Sequence, residues 1–247
     1  MRVVSLHADV LLATSAIWQT NCVIVRGRVE PEEDSPVKVR IAGESHSGAE
    51  TFVIDSPILP DELDALPALM DQAGFPTPSG LLATHADWDH LLGRLAFPGA
   101  ALGCAASTVR RLSAEPGAAQ RELRAFDSQF HIERPRPLML GSVQALAVPG
   151  HCEIGMHELR LHPADGHTQD GMSIWLNWAG VLVVGDYLST VEPPQVGGSS
   201  VAYLATLERL RPLVGSAEHV VPGHGPVLDG KRALELLEES RALVAGM

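Results

Sequence analysis

Four separate segments of this sequence share one layout, and that layout limits the folds open to the chain. In each segment an apolar run that predicts a β-strand leads directly into a loop containing histidine or aspartate. The segments are LLATHADWDH (81–90), LHPADGHTQDG (161–171), VLVVGDY (181–187) and HVVPGHGP (219–226). Because strand ends meet along one edge of a sheet, loops far apart in sequence can bring their side chains together.

The side chains on these loops are those that bind divalent cations. The candidate ligands are His85, Asp87, Asp89, His90, His167, Asp186 and His224. Four imidazoles and three carboxylates can hold two metal ions and still leave positions open for water and substrate. Taken alone, residues 85–90 could equally be a polar turn rich in His and Asp.

The ordered motifs resemble those of the metallo-β-lactamase superfamily of hydrolases over nearly the whole chain. The matching stretches are TNCVIV (20–25), FVIDSP (52–57), LLATHADWDHLLG (81–93), DGHTQDGMSIWL (165–176), LVVGDY (182–187) and VVPGHGPV (220–227). One of them alone would be weak, but their common order and spacing make the resemblance specific.

The resemblance implies a role for each candidate ligand. His85, Asp87 and His167 would hold a first metal ion, and Asp89, His90 and His224 a second. Asp186 would bridge the two ions, and Asp89 would also orient the attacking hydroxide. The implied cofactors are two divalent metal ions, zinc by family, with iron or manganese made plausible by Asp87.

The fold class expected from the strand and helix patterns is α/β, with two mixed sheets packed together and helices outside. Such a four-layer αββα sandwich is also what the resemblance implies. Strands are predicted at 3–15, 21–27, 37–43, 50–56, 80–84, 100–106, 142–150, 157–164, 171–178, 180–186 and in the first part of 217–225, which continues as a loop. Helices are predicted at 60–74, 89–97, 106–131, 199–214 and 230–246, with Pro67 expected to kink or shorten the first. We expect one domain, 1–247, with a helical insertion at about 93–141.

Asp87 departs from the family pattern, in which most members carry histidine at this place. Oxygen-reducing di-iron members carry glutamate there, which is also a carboxylate. Two divalent ions supply +4, and three carboxylates with one hydroxide supply −4, so the site would be formally neutral. An oxygen ligand moves the preference from zinc towards manganese or iron. The alternative is that Asp87 faces away and the first site is weak or empty.

Three further residues are candidates for support or for the pocket. Asp55 ends a predicted strand and could orient the ligand loops through hydrogen bonds, or it could be a plain turn residue. Trp88 could line the substrate pocket or pack beneath the loop, and Tyr187 could reach the substrate. The remaining histidines are expected to be surface or core residues.

Composition excludes several partners. Acidic residues outnumber basic ones by 30 to 18, giving a formal charge of −12 without a basic stripe, so no nucleic-acid partner is expected. No apolar run is long enough for a membrane span. His7 and Asp9 interrupt the N-terminal apolar stretch, which disfavours a signal peptide. Three cysteines without a CxxC pair suggest reduced thiols in the cytoplasm. The 93–141 segment could pair subunits as a homo-oligomer, but composition does not decide this.

The predicted function is metal-dependent hydrolysis of a small-molecule ester, thioester, lactone or phosphodiester by a metal-bridging hydroxide. Two alternatives remain open from sequence. The carboxylate at 87 motivates a di-iron redox protein, with oxygen or sulfur chemistry and a separate electron donor. A non-catalytic metal-binding module is the third possibility.

Overall fold

The computed structural model describes residues 1–29 and 48–246, and within them the strands form two mixed sheets. The first sheet has seven strands in chain order: β1 (Arg2–His7), β2 (Val10–Thr14), β3 (Asn21–Arg28), β4 (Ala49–Ile54), β5 (Gly80–Ala83), β6 (Ala101–Ala105) and β7 (Val143–Leu146). Strands β1 to β4 pair antiparallel, and β4 to β7 pair parallel.

The second sheet has five strands: β8 (Gly150–Ile154), β9 (His157–Pro163), β10 (Met172–Leu176), β11 (Val181–Val183) and β12 (His219–Val221). Its spatial order is β12–β11–β10–β9–β8, and only β11 and β12 pair parallel among these neighbours. Both sheets are therefore mixed, as the sequence predicted.

Helices cover the outer face of each sheet. They are α1 (Pro60–Gln72), α2 (Gly93–Ala96), α3 (Ala106–Ala114), α4 (Ala118–Phe130), α5 (Ser200–Val214) and α6 (Gly230–Ala245). One apolar core lies between the first sheet and α1–α4, a second lies between the sheets, and a third lies beneath α5 and α6. This confirms the predicted αββα sandwich.

Strand β3 shows why the layers stack in this way. Its side chains alternate between two buried faces: Cys22 and Ile24 enter the helix-side core, whereas Val23 and Val25 enter the core between the sheets. A strand buried on both faces requires apolar residues at consecutive positions, and NCVIV supplies them.

Several predicted elements differ from the structure. Residues 3–15 form a hairpin of two strands, and the predicted helix 106–131 is two helices separated by Pro116 and Gly117. Helix α1 runs through Pro67, because its buried face of Leu63, Leu66 and Met70 packs into the core. Strand β8 had no predicted counterpart, and the predicted strand at 37–43 lies outside the described residues.

The segment expected to be a helical insertion also contains a strand. Between Gly93 and Gly141 the structure places α2, α3 and α4 together with β6, a strand of the first sheet.

All three cysteines are free, and burial raises the pKa of Cys104 to about 12. In the described part of the chain, no helix combines the length and apolar character needed to cross a membrane.

Candidate metal centre

The candidate ligands lie on loops that follow strands of both sheets. His85 follows β5 of the first sheet, whereas His167 lies between β9 and β10 of the second. Asp186 follows β11 and His224 follows β12. The sandwich edge therefore brings together residues separated by up to 139 positions.

The first predicted set is assembled in the structure. Asp87 Oδ2 lies 3.4 Å from His85 Nε2 and 3.6 Å from His167 Nε2. His85 and His167 are buried, and the Asp87 side chain is 29% exposed. The Asp87 carboxylate therefore faces the two imidazoles, contrary to the alternative in which it points away.

The second predicted set is likewise assembled. Asp89 Oδ2 lies 3.3 Å from His224 Nε2 and 3.7 Å from His90 Nε2. All three side chains are buried. The short 3₁₀ turn Trp88–His90 turns His90 inward directly after Asp89.

Asp186 lies between the two sets. Its Oδ2 is 3.2 Å from His167 Nε2, 3.7 Å from His85 Nε2 and 3.5 Å from His224 Nε2. Its Oδ1 is 3.2 Å from His90 Nε2. One carboxylate thus contacts imidazoles of both sets, which is the position a bridging ligand needs.

These separations fit ligation of metal ions. Two ligand atoms at about 2.1 Å from a tetrahedral ion lie about 3.4 Å apart. Buried Nε2 atoms of His85, His90 and His167, with Asp186 Oδ1, have no hydrogen-bond partner among the described residues. Unsatisfied buried polar atoms that converge on one point indicate a cation site.

The opposite ring nitrogens of His85, His167 and His224 are occupied by the protein. His167 Nδ1 donates to the Gln195 carbonyl at 3.1 Å, and His224 Nδ1 donates to the Trp18 carbonyl at 3.1 Å. His85 Nδ1 lies 3.0 Å from Thr84 Oγ1, which donates to Asp55. A donated Nδ1 proton leaves the Nε2 lone pair for a metal.

Asp55 supports the ligand loops, as one interpretation of the sequence predicted. Its Oδ1 accepts from the Thr84 backbone amide and its Oδ2 from the Thr84 hydroxyl. The same Oδ2 lies 3.0 Å from His90 Nδ1. Asp55 has a positive φ of 57°, a backbone state that aspartate tolerates, and this turns its carboxylate towards both loops.

The loop that carries His224 is fastened to the start of β3. The Asn21 side-chain amide donates to the carbonyls of Pro222 at 2.9 Å and Gly225 at 2.8 Å. Thr20 Oγ1 lies 3.2 Å from His224 Nδ1. The Thr-Asn pair that opens the TNCVIV motif therefore holds the last histidine in place.

Tyr187 does not face the cleft as the sequence suggested. Its side chain is buried, and its hydroxyl accepts from the His167 backbone amide and donates to the Asp165 carbonyl. It supports the His167 loop from beneath. Trp88 satisfies both of its predicted alternatives, because it is buried against Phe126 and also lines the cleft.

Arg111 was not predicted as a site residue. Its guanidinium lies 2.7 Å from Asp87 Oδ1 and donates to Asp170 Oδ1 at 2.9 Å. Asp170 is buried and also accepts from the Ala86 amide. Asp87 is thus held on one oxygen, and the other faces the histidines. Arg111 lies on α3, so only the packed structure reveals this pair.

The carboxylates and imidazoles shift each other's titration in the metal-free protein. Burial lowers the pKa of His167, but Asp186 and Asp87 raise it to about 10. Burial similarly opposes the charge on His224, and the same kind of contact with Asp186 and Asp89 raises its pKa to about 10.

Asp87 responds in the opposite direction. Burial alone would raise its pKa, but the contacts with His167 and His85 lower it well below its usual range. The charge of Arg111 lowers it further. Asp87 is therefore an anion at neutral pH and available as a ligand.

The cluster opens into a cleft of about 640 Å³. Its lining includes the indoles of Trp18 and Trp88, whose ring centroids are 5.6 Å apart. Glu122 and Glu192 add two carboxylates that the sequence did not single out.

Of the other histidines that the structure describes, none belongs to a metal-capable group, and His46 lies outside the described residues.

Comparison with known proteins agrees with this geometry. A sequence profile described as the metallo-beta-lactamase superfamily matches residues 72–224, more than half of the chain. A search of curated proteins gave no match.

Solved structures share the fold at low sequence identity. A metallo-beta-lactamase family protein from Thermus thermophilus is 21% identical, with 98% of this chain and 81% of that chain covered and a TM-score of 0.69. A metallo-beta-lactamase from Pontibacter korlensis is 16% identical, covering 100% and 99%, with a TM-score of 0.65. A sec-alkylsulfatase from Pseudomonas sp. is 13% identical, covering 98% and 41%, with a TM-score of 0.70.

Gly223 leaves no room for a side chain beside Asp186. A Cβ here would overlap Asp186 Oδ1 and lie 3.0 Å from His90 Cε1. Gly223→Ala should therefore displace Asp186, lower metal content per chain, and destabilise the fold by about 1–3 kcal/mol. Elemental analysis and chemical denaturation measure both effects. Gly99→Ala is the control, since nothing lies within 4 Å of its added Cβ. Equal metal content in the two variants would contradict the expectation.

Metal binding should release protons from His167 and His224. With pKa values of about 10, His167 and His224 are protonated at pH 7 when no metal is present. A metal ion needs neutral imidazole, so uptake must displace these protons and affinity must rise with pH towards 10. Titration calorimetry in two buffers of different ionisation enthalpy detects the release. Identical heats in both buffers would refute it.

Proposed function

Because the chain belongs to the metallo-beta-lactamase superfamily, we propose that it is a binuclear metal-dependent hydrolase of a small-molecule substrate. The main support for this proposal is the arrangement of four histidines around one carboxylate. The Nε2 atoms of four histidines converge on the Asp186 carboxylate at 3.2–3.7 Å. Their outward-facing Nδ1 atoms contact hydroxyl, carbonyl or carboxylate oxygens of the protein.

The ligand assignment follows the two sets described above. His85, Asp87 and His167 would hold the first ion, and Asp89, His90 and His224 the second, with Asp186 shared. When bound, two divalent cations lower the pKa of water and polarise the substrate's oxygen. Zinc is the expected metal by family, and the Asp87 oxygen makes iron or manganese suitable as well.

The residues of this chain then have distinct tasks. Asp89 orients the attacking water by accepting a hydrogen bond from it. The wall formed by Trp18 and Trp88 packs against the apolar part of the substrate and reduces access of bulk water. Asp55 and Tyr187 keep the ligand loops in place through the hydrogen bonds described above.

The cleft supports a small substrate without strong negative charge. Its volume of about 640 Å³ lies in the range of small-molecule sites. Arg111 is the one arginine or lysine in the described lining, and Asp87 and Asp170 already pair it. The Glu122 carboxylate, which belongs to no metal-capable group in the described lining, would repel an anion. Carboxylic esters, thioesters and lactones therefore fit better than phosphodiesters.

A metal and substrate survey tests the function. Protein loaded in turn with zinc, manganese or iron is assayed against ester, thioester, lactone and phosphodiester panels, with metal content measured for each form. We expect two ions per chain and cleavage of uncharged carbonyl substrates, abolished by a chelator. No cleavage in any fully loaded form would sink the hydrolase proposal.

A di-iron redox protein is the second candidate, and the Asp87 oxygen that faces the histidines is what favours it. The same survey separates the two functions. Two irons per chain with oxygen consumption in the presence of an added electron donor, and no ester cleavage, would favour the redox protein.

Substitution of Asp87 tests its role as a ligand. Asp87→His supplies a nitrogen ligand and should raise zinc occupancy relative to manganese. Asp87→Asn removes the charge without supplying an imidazole, so its first-site affinity should fall by about tenfold or more. Zinc and manganese contents measured after equilibrium dialysis check both expectations. Unchanged metal content in both variants would show that Asp87 is no ligand.

A further inference from the structure

Glu192 brings an eighth metal-capable side chain to the centre. It lies on the segment between β11 and α5, six residues after Asp186. A carboxylate oxygen of Glu192, a ligand atom of Asp186 and one of His224 all lie within 4.8 Å of one another. This group contains the shared aspartate and one histidine of the second set.

The two oxygens of Glu192 have different surroundings. Oε2 accepts a hydrogen bond of 2.6 Å from the Gln195 side-chain amide. Oε1 is buried and has no hydrogen-bond partner among the described residues. A buried carboxylate oxygen without a donor is costly, and a cation would satisfy it.

Asp87 provides an internal comparison for this arrangement. Its Oδ1 is held by Arg111, and its Oδ2 faces His85 and His167. Glu192 repeats the pattern on the side of His224, with one oxygen held by the protein and the other free. Gln195 also connects the His167 loop with Glu192. Its backbone carbonyl accepts a hydrogen bond from His167 Nδ1, and its side-chain amide donates one to Glu192.

We propose that Glu192 is an additional ligand of the second metal ion, the one held by Asp89, His90 and His224, an inference that rests on the proposed binuclear centre. The ion would then have two nitrogen ligands and oxygen ligands from Asp89, Asp186 and Glu192. This donor set raises its coordination number above four and favours a harder cation. It also ties the 188–199 segment to the bound ion.

The test compares two variants that remove the same charge from the same cleft. Glu192→Gln alters the proposed ligand, and Glu122→Gln alters a cleft carboxylate that belongs to no metal-capable group in the described chain. Each protein is titrated with Co²⁺ against a competing chelator, and the affinity and visible absorption of both equivalents are recorded. Circular dichroism checks that both variants are folded.

Glu192→Gln should weaken one of the two equivalents by about tenfold or more, leave the other unchanged, and intensify the visible absorption of the weakened one as its coordination number falls. Glu122→Gln should change neither. If the two variants match in affinity and spectrum, Glu192 is no ligand. If Glu192→Gln does not fold, Glu192→Asp replaces it, and a wild-type spectrum in that shortened variant would equally overturn the proposal. If wild-type protein takes up no second equivalent, the binuclear centre itself fails.

Discussion

The Asp186 carboxylate is the contact on which the rest of the site depends. It lies within 3.7 Å of the Nε2 atoms of four histidines that come from loops of both sheets. Its approach requires a residue without a side chain at position 223, where a Cβ would overlap Asp186 Oδ1. The pairing of β11 with β12 sets this distance, because Asp186 and Gly223 leave those parallel strands side by side.

The scaffold holds the histidines by their outer nitrogens. The acceptors for His167 and His224 are backbone carbonyls, and His85 and His90 depend on Asp55 and Thr84. Since the outer nitrogens contact the protein, the inward Nε2 atoms are already in position before a metal displaces any proton they carry. Such pre-arrangement lowers the entropy cost of assembling the ligands.

The sequence points to the candidate ligands because their signals are local, and the structure brings those residues together. HADWDH places four candidates in one loop, and strands before His167, Asp186 and His224 could be recognised from their apolar runs. The supporting contacts were not predictable in the same way. Arg111 meets Asp87 only because α3 packs beside the β5 loop, and a helical arginine carries no signal of its partner.

Elements with mixed patterns were also hard to predict. Strand β8 reads GHCEI, with polar residues that suit its exposed edge position, and it therefore lacks the apolar run of a central strand. Tyr187 directly follows the candidate ligand Asp186, which suggested a substrate contact, yet its phenol is buried beneath the His167 loop. Adjacency in sequence does not determine which face of a loop a side chain occupies.

The charges around the centre would allow Asp87 to serve at the place where most members of the family carry histidine. In the proposed centre, three aspartates would offset three of the four positive charges of two divalent ions, and Arg111 adds one positive charge at 2.7 Å from Asp87. The aspartate-arginine pair therefore resembles a neutral imidazole in net charge while presenting an oxygen to the site. On the opposite side, Glu192 has no such counter-charge, because Gln195 holds it through a neutral amide. In the proposed binuclear centre, the first ion would face a compensated carboxylate, and the second ion, with Glu192 as its additional ligand, an uncompensated one. That asymmetry would give the two positions different affinities for hard and soft cations.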